Sequence, residues 1–216
     1  MASPGTSALR GVRVAMVSDA LDQLGIRNQA LDPSIAPLRP GMTLTGRAVP
    51  IVVEATDELP DEPYAQELRA VESLQPGDVP VYATDSSVKA ALWGEIFSYA
   101  ARARGAVGAV VDGFVRDSQQ VGHLQYPVFC RGSSPLDTRG RAEVREFGVR
   151  AACGGVHVSP GDHIVGDDDG VIVIPAEALS SVLDLVGQRN LEERGALADL
   201  LSGTSIGDVW KKWRVL

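Results

Sequence analysis

The chain of 216 residues contains two cysteines, three histidines and three lysines. Cys130 and Cys153 lie far apart without Cys-x-x-Cys spacing. That argues against a disulfide framework and a zinc–thiolate site, and it favours a reducing, cytoplasmic compartment. Lysine occurs at Lys89, Lys211 and Lys212, and every other basic residue is arginine. A Schiff-base mechanism needs a buried lysine with a lowered pKa. Lys211 and Lys212 sit in "DVWKKWRVL", a solvated-looking tail, and Lys89 in "SSVKAALWG" reads as a strand edge. Imine chemistry is therefore disfavoured. His123, His157 and His163 show neither His-x-x-x-His nor His-Glu-x-x-His spacing and read as structural residues. No apolar run approaches the ~18–20 residues of a membrane span. The N-terminal stretch "MASPGTSALRGVRVAMVSDAL" reads as having no signal peptide. A net charge of −8 argues against a nucleic-acid partner, which needs a basic face to release counterions. There is no Walker-type Gly-Lys-Ser/Thr, no Gly-x-Ser-x-Gly elbow and no glycine-rich loop placed to hold S-adenosylmethionine.

What is present is an α/β pattern. "VAMVSDALDQLG" carries apolar residues at helical spacing and predicts an N-terminal helix stopped at Gly25. "MTLTGRAVPIVV" and "VPVYAT" read as strands, and a short helix is expected from Ala65 to Ser73. "WGEIFSYAARARGAVGAVVDGFVRD" reads as a helix opened by a glycine and running through Arg104, then a strand from Ala109 to Asp112. "YPVFCRG" is a further short strand. "AEVREFGVRAACGGVHVSPGDHIVGDDDGVIVIP" gives at least three β-runs separated by Gly-Gly, Pro-Gly-Asp and Asp-Asp-Gly turns. The triple acid Asp167–Asp169 falls where a hairpin turn belongs, so Asx-turn chemistry accounts for it without a metal. From Ala176 onward the chain reads as helical with breaks at Gly195 and Gly203. The expectation is one domain over residues 1–216, with a core of about 14–176 and a C-terminal helical arm of about 177–216. An arm ending in Trp210 and Trp213 with nowhere obvious to pack points to an oligomer.

Chemistry concentrates in "WGEIFSYAARARGAVGAVVDGFVRD". Arg116 and Asp117 follow a hydrophobic strand, where they form either a strand-end salt bridge or half of a site. As a site, the planar guanidinium of Arg116 clamps a carboxylate through two parallel hydrogen bonds. Asp117 is then a hard oxygen donor for Mg²⁺ or Mn²⁺, completed by waters and substrate oxygens. Upstream, Gly94 and Glu95 open a helix. The first amides, on Ile96 and Phe97, are unpaired donors at the positive end of its dipole. Glu95 is either an ordinary first-turn acid or a second carboxylate for acid–base work.

These stretches, with the early "SDALDQLG" and the late "VSPGDHIVGDDDGVIVIP", resemble the family of RraA-like proteins and class II 4-hydroxy-4-methyl-2-oxoglutarate aldolases, whose members are often labelled demethylmenaquinone methyltransferases. The resemblance runs from about Val14 to about Gly203. Its most specific element is an acid, twenty intervening residues and then Arg-Asp, here Glu95 and Arg116-Asp117. It implies a single β/β/α swivelling-type domain assembled as a homotrimer or hexamer with sites at subunit interfaces. It also implies that Arg116 binds the pyruvyl carboxylate and Asp117 anchors the divalent cation. Gly94 and the amides of Ile96 and Phe97 help to hold the substrate, and Glu95 orients a catalytic water. Glu193, with Glu192 beside it, is the best match to an acid reaching in from a neighbouring subunit. The aldolases carry an acid three residues after Arg-Asp, and this chain has Gln120 there.

The implied activity is a metal-dependent carbon–carbon lyase acting on a small 2-oxo acid and giving pyruvate through a metal-stabilised enolate. Aldol cleavage of 4-hydroxy-4-methyl-2-oxoglutarate and decarboxylation of oxaloacetate share that half-reaction. Decarboxylation demands less of an active-site base, so it tolerates Gln120 better. The rival reading is a non-catalytic RraA-like regulator that binds a ribonuclease or helicase. Regulators of this kind tend to lack the upstream acid, and Glu95 is present.

Overall fold

In the computed structural model, residues 8–85 and 87–215 are described. The start of the stretch read for a signal peptide lies outside them. Branched residues alternating with polar ones build the long strand β2 (Leu44–Ala55), whose first eight residues turn alternate side chains inward for most of their length. β3 (Asp78–Ala83) is buried throughout and β5 (Ala109–Val115) almost so, as parallel strands covered on both faces must be.

Among the described residues the main sheet runs β1 (Ala36–Pro37), β6 (Val128–Ser133), β5, β3, β2, β10 (His163–Asp167), β11 (Gly170–Ile174). β4 (Ala91–Trp93) pairs with β5, and β7 (Ala142–Phe147) with β2. The β2–β3, β3–β5, β4–β5 and β5–β6 pairings are parallel. The segment between the N-terminal helix and β2 nearly closes the sheet. Leu31 donates to Val171 O and Val173 to Gln29 O, while Ala36 and Pro37 pair with Cys130 and Phe129. A small hairpin of β8 (Ala151–Cys153) and β9 (Val156–Val158) covers one face. This mixed α/β, swivelling-type architecture has the N-terminal helix and C-terminal arm expected from the sequence.

Helix α1 (Val14–Gln23) ends at Gly25, whose φ of 73° stops it as expected. α2 spans Ala65–Ser73 as expected, and α3 spans Glu95–Ala103 with Gly94 as its N-cap, ending one residue before the expected Arg104, which is its C-cap. α4 (Ser118–Leu124) follows Asp117 directly. Strand β5 runs on to Val115, past the expected end at Asp112. Gly113 does not interrupt it, because β4 pairs along its final residues. Lys89 is exposed in the loop before β4 rather than on a strand edge. The acid triplet forms the β10–β11 turn: Asp167 Oδ1 accepts from Asp169 N at 2.9 Å and its Oδ2 from Val14 N at 2.9 Å.

The arm departs from expectation at one glycine. α5 (Leu179–Leu201) continues through Gly195, and only Gly203 ends it, before α6 (Ile206–Trp213) folds back. Gly195 is a contact point and not a break. A Cβ there would fall 2.5 Å from Cζ2 of Trp213, and the indole Nε1 donates to Asp199 at 2.7 Å. Trp213 therefore has a packing site within the chain, while Trp210 stays 41% exposed. The first half of α5 buries Val182 and Val186 against α1 and β11. No helix among the described residues is long and apolar enough to cross a membrane.

Candidate functional site

β4 and β5 run parallel and end side by side. Arg116 N donates to Trp93 O at 2.9 Å, which locks the two strand ends together. From these ends the chain turns into α3 at Gly94 and into α4 at Asp117. Crevices beyond the carboxyl ends of parallel strands are the usual ligand sites of such sheets. Here the crevice is a cavity of about 230 Å³ whose walls include Gly94, Glu95, Ile96, Phe97, Arg116 and Asp117. All the residues singled out around the two strand ends thus share one cavity. Gln120 is exposed on α4 and does not line it.

Local geometry explains the residue types. Gly94 is extended, so its backbone angles suit any residue, but space is short: a Cβ would lie 3.1 Å from both Arg116 Cγ and Asp117 Oδ2. Asp117 adopts φ 54° as the residue before α4, a left-handed conformation sparsely used by non-glycine residues. Its carboxylate is 45% exposed; Oδ2 lies 3.5 Å from Glu95 N and 3.8 Å from Arg116 Nε. These are long, weak contacts, so its oxygens remain free for another partner. The N–H groups of Ile96 and Phe97, in the first turn of α3, have no intrahelical acceptor.

The opposite wall was not read from the sequence. β6 ends at Ser133, and the following loop carries Asp137 and Thr138 into the cavity, while Tyr64, which precedes α2 at φ 66°, enters from the side. Arg116 Nη1 donates to Asp137 Oδ2 at 2.6 Å, and Tyr64 Oη donates to Asp137 Oδ1 at 2.7 Å. Burial opposes ionisation of Asp137. The Arg139 N–H, Tyr64 hydroxyl and Arg116 guanidinium together outweigh it and hold the carboxyl below its usual range. The hydrogen bond to Asp137 raises the Tyr64 phenol in turn. Behind this wall Glu67 is buried; loss of solvent, opposed by a hydrogen bond from Thr138, pushes its carboxyl group up to about 7. The signal that could have found Asp137 is its position in "SSPLDTRG", directly after a parallel strand. Two of the non-glycine residues with positive φ, Tyr64 and Asp117, line this cavity, consistent with strain gathering at functional sites.

Glu193 lies on α5, paired with Arg13 and Arg189 of the same chain, and Glu192 accepts from Gln188. Neither lines the cavity within one chain. Among the described residues no group of three or more His, Cys, Asp or Glu side chains could hold a metal ion alone.

Comparison with known proteins identifies the frame. A family model described as RraA-like, Aldolase/RraA, matches residues 14–173. The chain belongs to the RraA-like family. It is 33% identical over 184 residues to the protein named "Putative 4-hydroxy-4-methyl-2-oxoglutarate aldolase" of Halalkalibacterium halodurans, covering 85% of this chain and 82% of that one. An uncharacterized protein from Pseudomonas syringae pv. tomato superposes with a TM-score of 0.86 at 26% identity, covering 99% of this chain and 95% of that chain. RraAS2 of Streptomyces coelicolor, described as an unusual member of the RNase ES inhibitor RraA protein family, superposes with a TM-score of 0.80. It is 28% identical, over 91% of this chain and 96% of that chain.

Proposed function

We propose that the protein is a divalent-metal-dependent carbon–carbon lyase that releases pyruvate from a small 2-oxo acid, by aldol cleavage or by decarboxylation. The observation that carries this reading is the placing of Arg116 and Asp117, at the end of β5, beside Glu95 and the first amides of α3 in one cavity. The aldolase name borne by the Halalkalibacterium halodurans relative supports the same class.

The donor set suits Mg²⁺ or Mn²⁺. Asp117 is a half-exposed carboxylate with only long contacts, and no group of three or more acids, histidines or cysteines stands ready among the described residues. One carboxylate completed by water and substrate oxygens is how Mg²⁺ is often held. When bound, the cation supplies Lewis acidity at the 2-oxo oxygen, the electron sink that imine chemistry would otherwise provide. Arg116 neutralises the C1 carboxylate, and the Ile96 and Phe97 amides donate to substrate oxygens. Glu95 orients the water that takes the proton of a C4 hydroxyl. Decarboxylation of oxaloacetate would dispense with that last step.

In the same proposal the protein works as a homotrimer or hexamer, with Glu193 carried towards the site of a neighbouring copy. The exposed Leu191, Leu197 and Leu201 on α5 offer apolar surface for assembly. The deciding experiment is pyruvate release from a panel of 2-oxo acids, including oxaloacetate and 4-hydroxy-4-methyl-2-oxoglutarate, with Mg²⁺ or Mn²⁺ and with EDTA. Metal-dependent release above background is expected. Release at background from every substrate would leave the regulator reading.

A further inference from the structure

The charge inside the cavity is unbalanced in a way that bears on which substrate it takes. Its walls carry three carboxylates, Glu95, Asp117 and Asp137, against one guanidinium, Arg116. A divalent cation would bring this set only to neutrality. Both 4-hydroxy-4-methyl-2-oxoglutarate and oxaloacetate bring two carboxylates. Arg116 can take the first, and among the described residues of one chain no other Arg, Lys or His lines the cavity to receive the second. The side chain of Arg139 is exposed; it is its backbone N–H that reaches Asp137 Oδ1, at 2.8 Å.

Asp137 also has capacity to spare. A carboxylate offers about four acceptor positions. Oδ1 accepts from Tyr64 and Arg139, and Oδ2 accepts from Arg116. The open position is on Oδ2, in the cavity wall. A hydroxyl hydrogen placed there makes a charge-assisted bond, whereas a second carboxylate meets a like charge. Leu68, Trp93 and Thr138 also line the cavity, and none of them carries a charge, which suits a short uncharged chain.

We propose that the site selects a 2-oxo acid with a single carboxylate and an uncharged, hydroxylated tail beyond C4, and that Asp137, oriented by Tyr64, reads that tail. This rests on the lyase reading above. For 4,5-dihydroxy-2-oxopentanoate, the C3–C4 bond breaks and the C4 hydroxyl loses its proton as C4 becomes an aldehyde. The bond electrons pass to C3, which takes up a proton, and the products are pyruvate and glycolaldehyde.

The test measures pyruvate release by the full chain with Mg²⁺ from 4,5-dihydroxy-2-oxopentanoate, oxaloacetate and 4-hydroxy-4-methyl-2-oxoglutarate, corrected for uncatalysed decay. The wild type is expected to favour the hydroxylated monocarboxylate at least about tenfold in kcat/KM. Asp137→Asn should narrow that ratio by about tenfold, chiefly by raising the dicarboxylates. Freeing Arg116 acts on the common C1 carboxylate of all three, so the ratio isolates the tail. Tyr64→Phe keeps the negative charge and loses its orientation. It should lower the rate on the hydroxylated substrate without improving either dicarboxylate. A wild-type preference for the dicarboxylates, or a ratio unmoved by both variants, overturns the proposal and leaves the lyase reading standing. Absence of metal-dependent release from all three overturns both.

Discussion

Arg116 and Asp137 are held together at 2.6 Å in the cavity wall, so the guanidinium expected to meet a substrate carboxylate already rests against a protein carboxylate. Five N–H donors radiate from a guanidinium, and Asp137 engages one through Nη1. The contact fixes the plane of the fork before any ligand arrives, which is preorganisation of the kind that lowers the reorganisation required on binding.

The Arg116→Lys variant separates charge from shape. An ammonium at this position retains a partner in Asp137, so the fold should survive, but a point charge cannot present two parallel donors to the C1 carboxylate. A fall in kcat/KM for pyruvate release of about 100-fold is expected, with an unchanged melting temperature within roughly 2 °C. Full activity in this variant would remove the bidentate clamp from the mechanism.

Asp117→Ala should abolish metal-dependent turnover, by at least about 100-fold, while leaving the oligomeric state as in the wild type. Titration of Mn²⁺ followed by water-proton relaxation reads the same loss without reference to catalysis. Wild-type Mn²⁺ affinity in the variant would show that the cation is held elsewhere.

Much of this site is legible in the sequence because it is local. Gly94 to Asp117 forms one helix–strand unit, and its hydrophobic periodicity and glycine punctuation place Glu95 at the helix start and Arg116 just beyond the strand, although the strand itself runs three residues further than its pattern suggests. The Ala65–Ser73 helix and the Asp167–Gly170 turn follow from equally local patterns. The wall made by Tyr64, Asp137 and Thr138 is not local. It exists because β6 lies beside β5 and α2 packs nearby, and no spacing rule connects residues 64, 116 and 137. Helix α5 continues through Gly195 for an equally non-local reason. A glycine in a helical run suggests a break until Trp213, on another helix, is seen occupying the space a side chain would need.

That contact gives a direct test of the arm. Gly195→Ala adds a methyl group where Trp213 already sits, and a ring in a packed site cannot yield without losing its bond to Asp199. Overpacking of this kind costs about 1–3 kcal/mol. Tryptophan emission should shift to longer wavelength as Trp213 becomes solvated, and limited proteolysis should cut between α5 and α6 faster than in the wild type. An unchanged spectrum would mean that the α5–α6 packing is looser than described.

Glu67 makes stability depend on pH in a defined direction. Only 5% exposed, it rises from an ordinary 4.5 to about 7 mainly through burial, with the Thr138 hydrogen bond opposing and the Asp137 carboxylate reinforcing. The folded state therefore binds this proton more tightly than the unfolded state. Its contribution is intact below pH 4.5, declines as pH rises from there to about 7, and stays at its lowest above that. The full difference is on the order of 3 kcal/mol at most. Glu67→Gln keeps an acceptor for Thr138 and carries no charge. It should melt roughly 5 °C above the wild type at pH 8, with the advantage shrinking steadily towards pH 5. Calorimetry of both proteins across that range measures it; a gap that widens on acidification would mean that Glu67 is stabilised as the carboxylate, and the argument from its burial would fail.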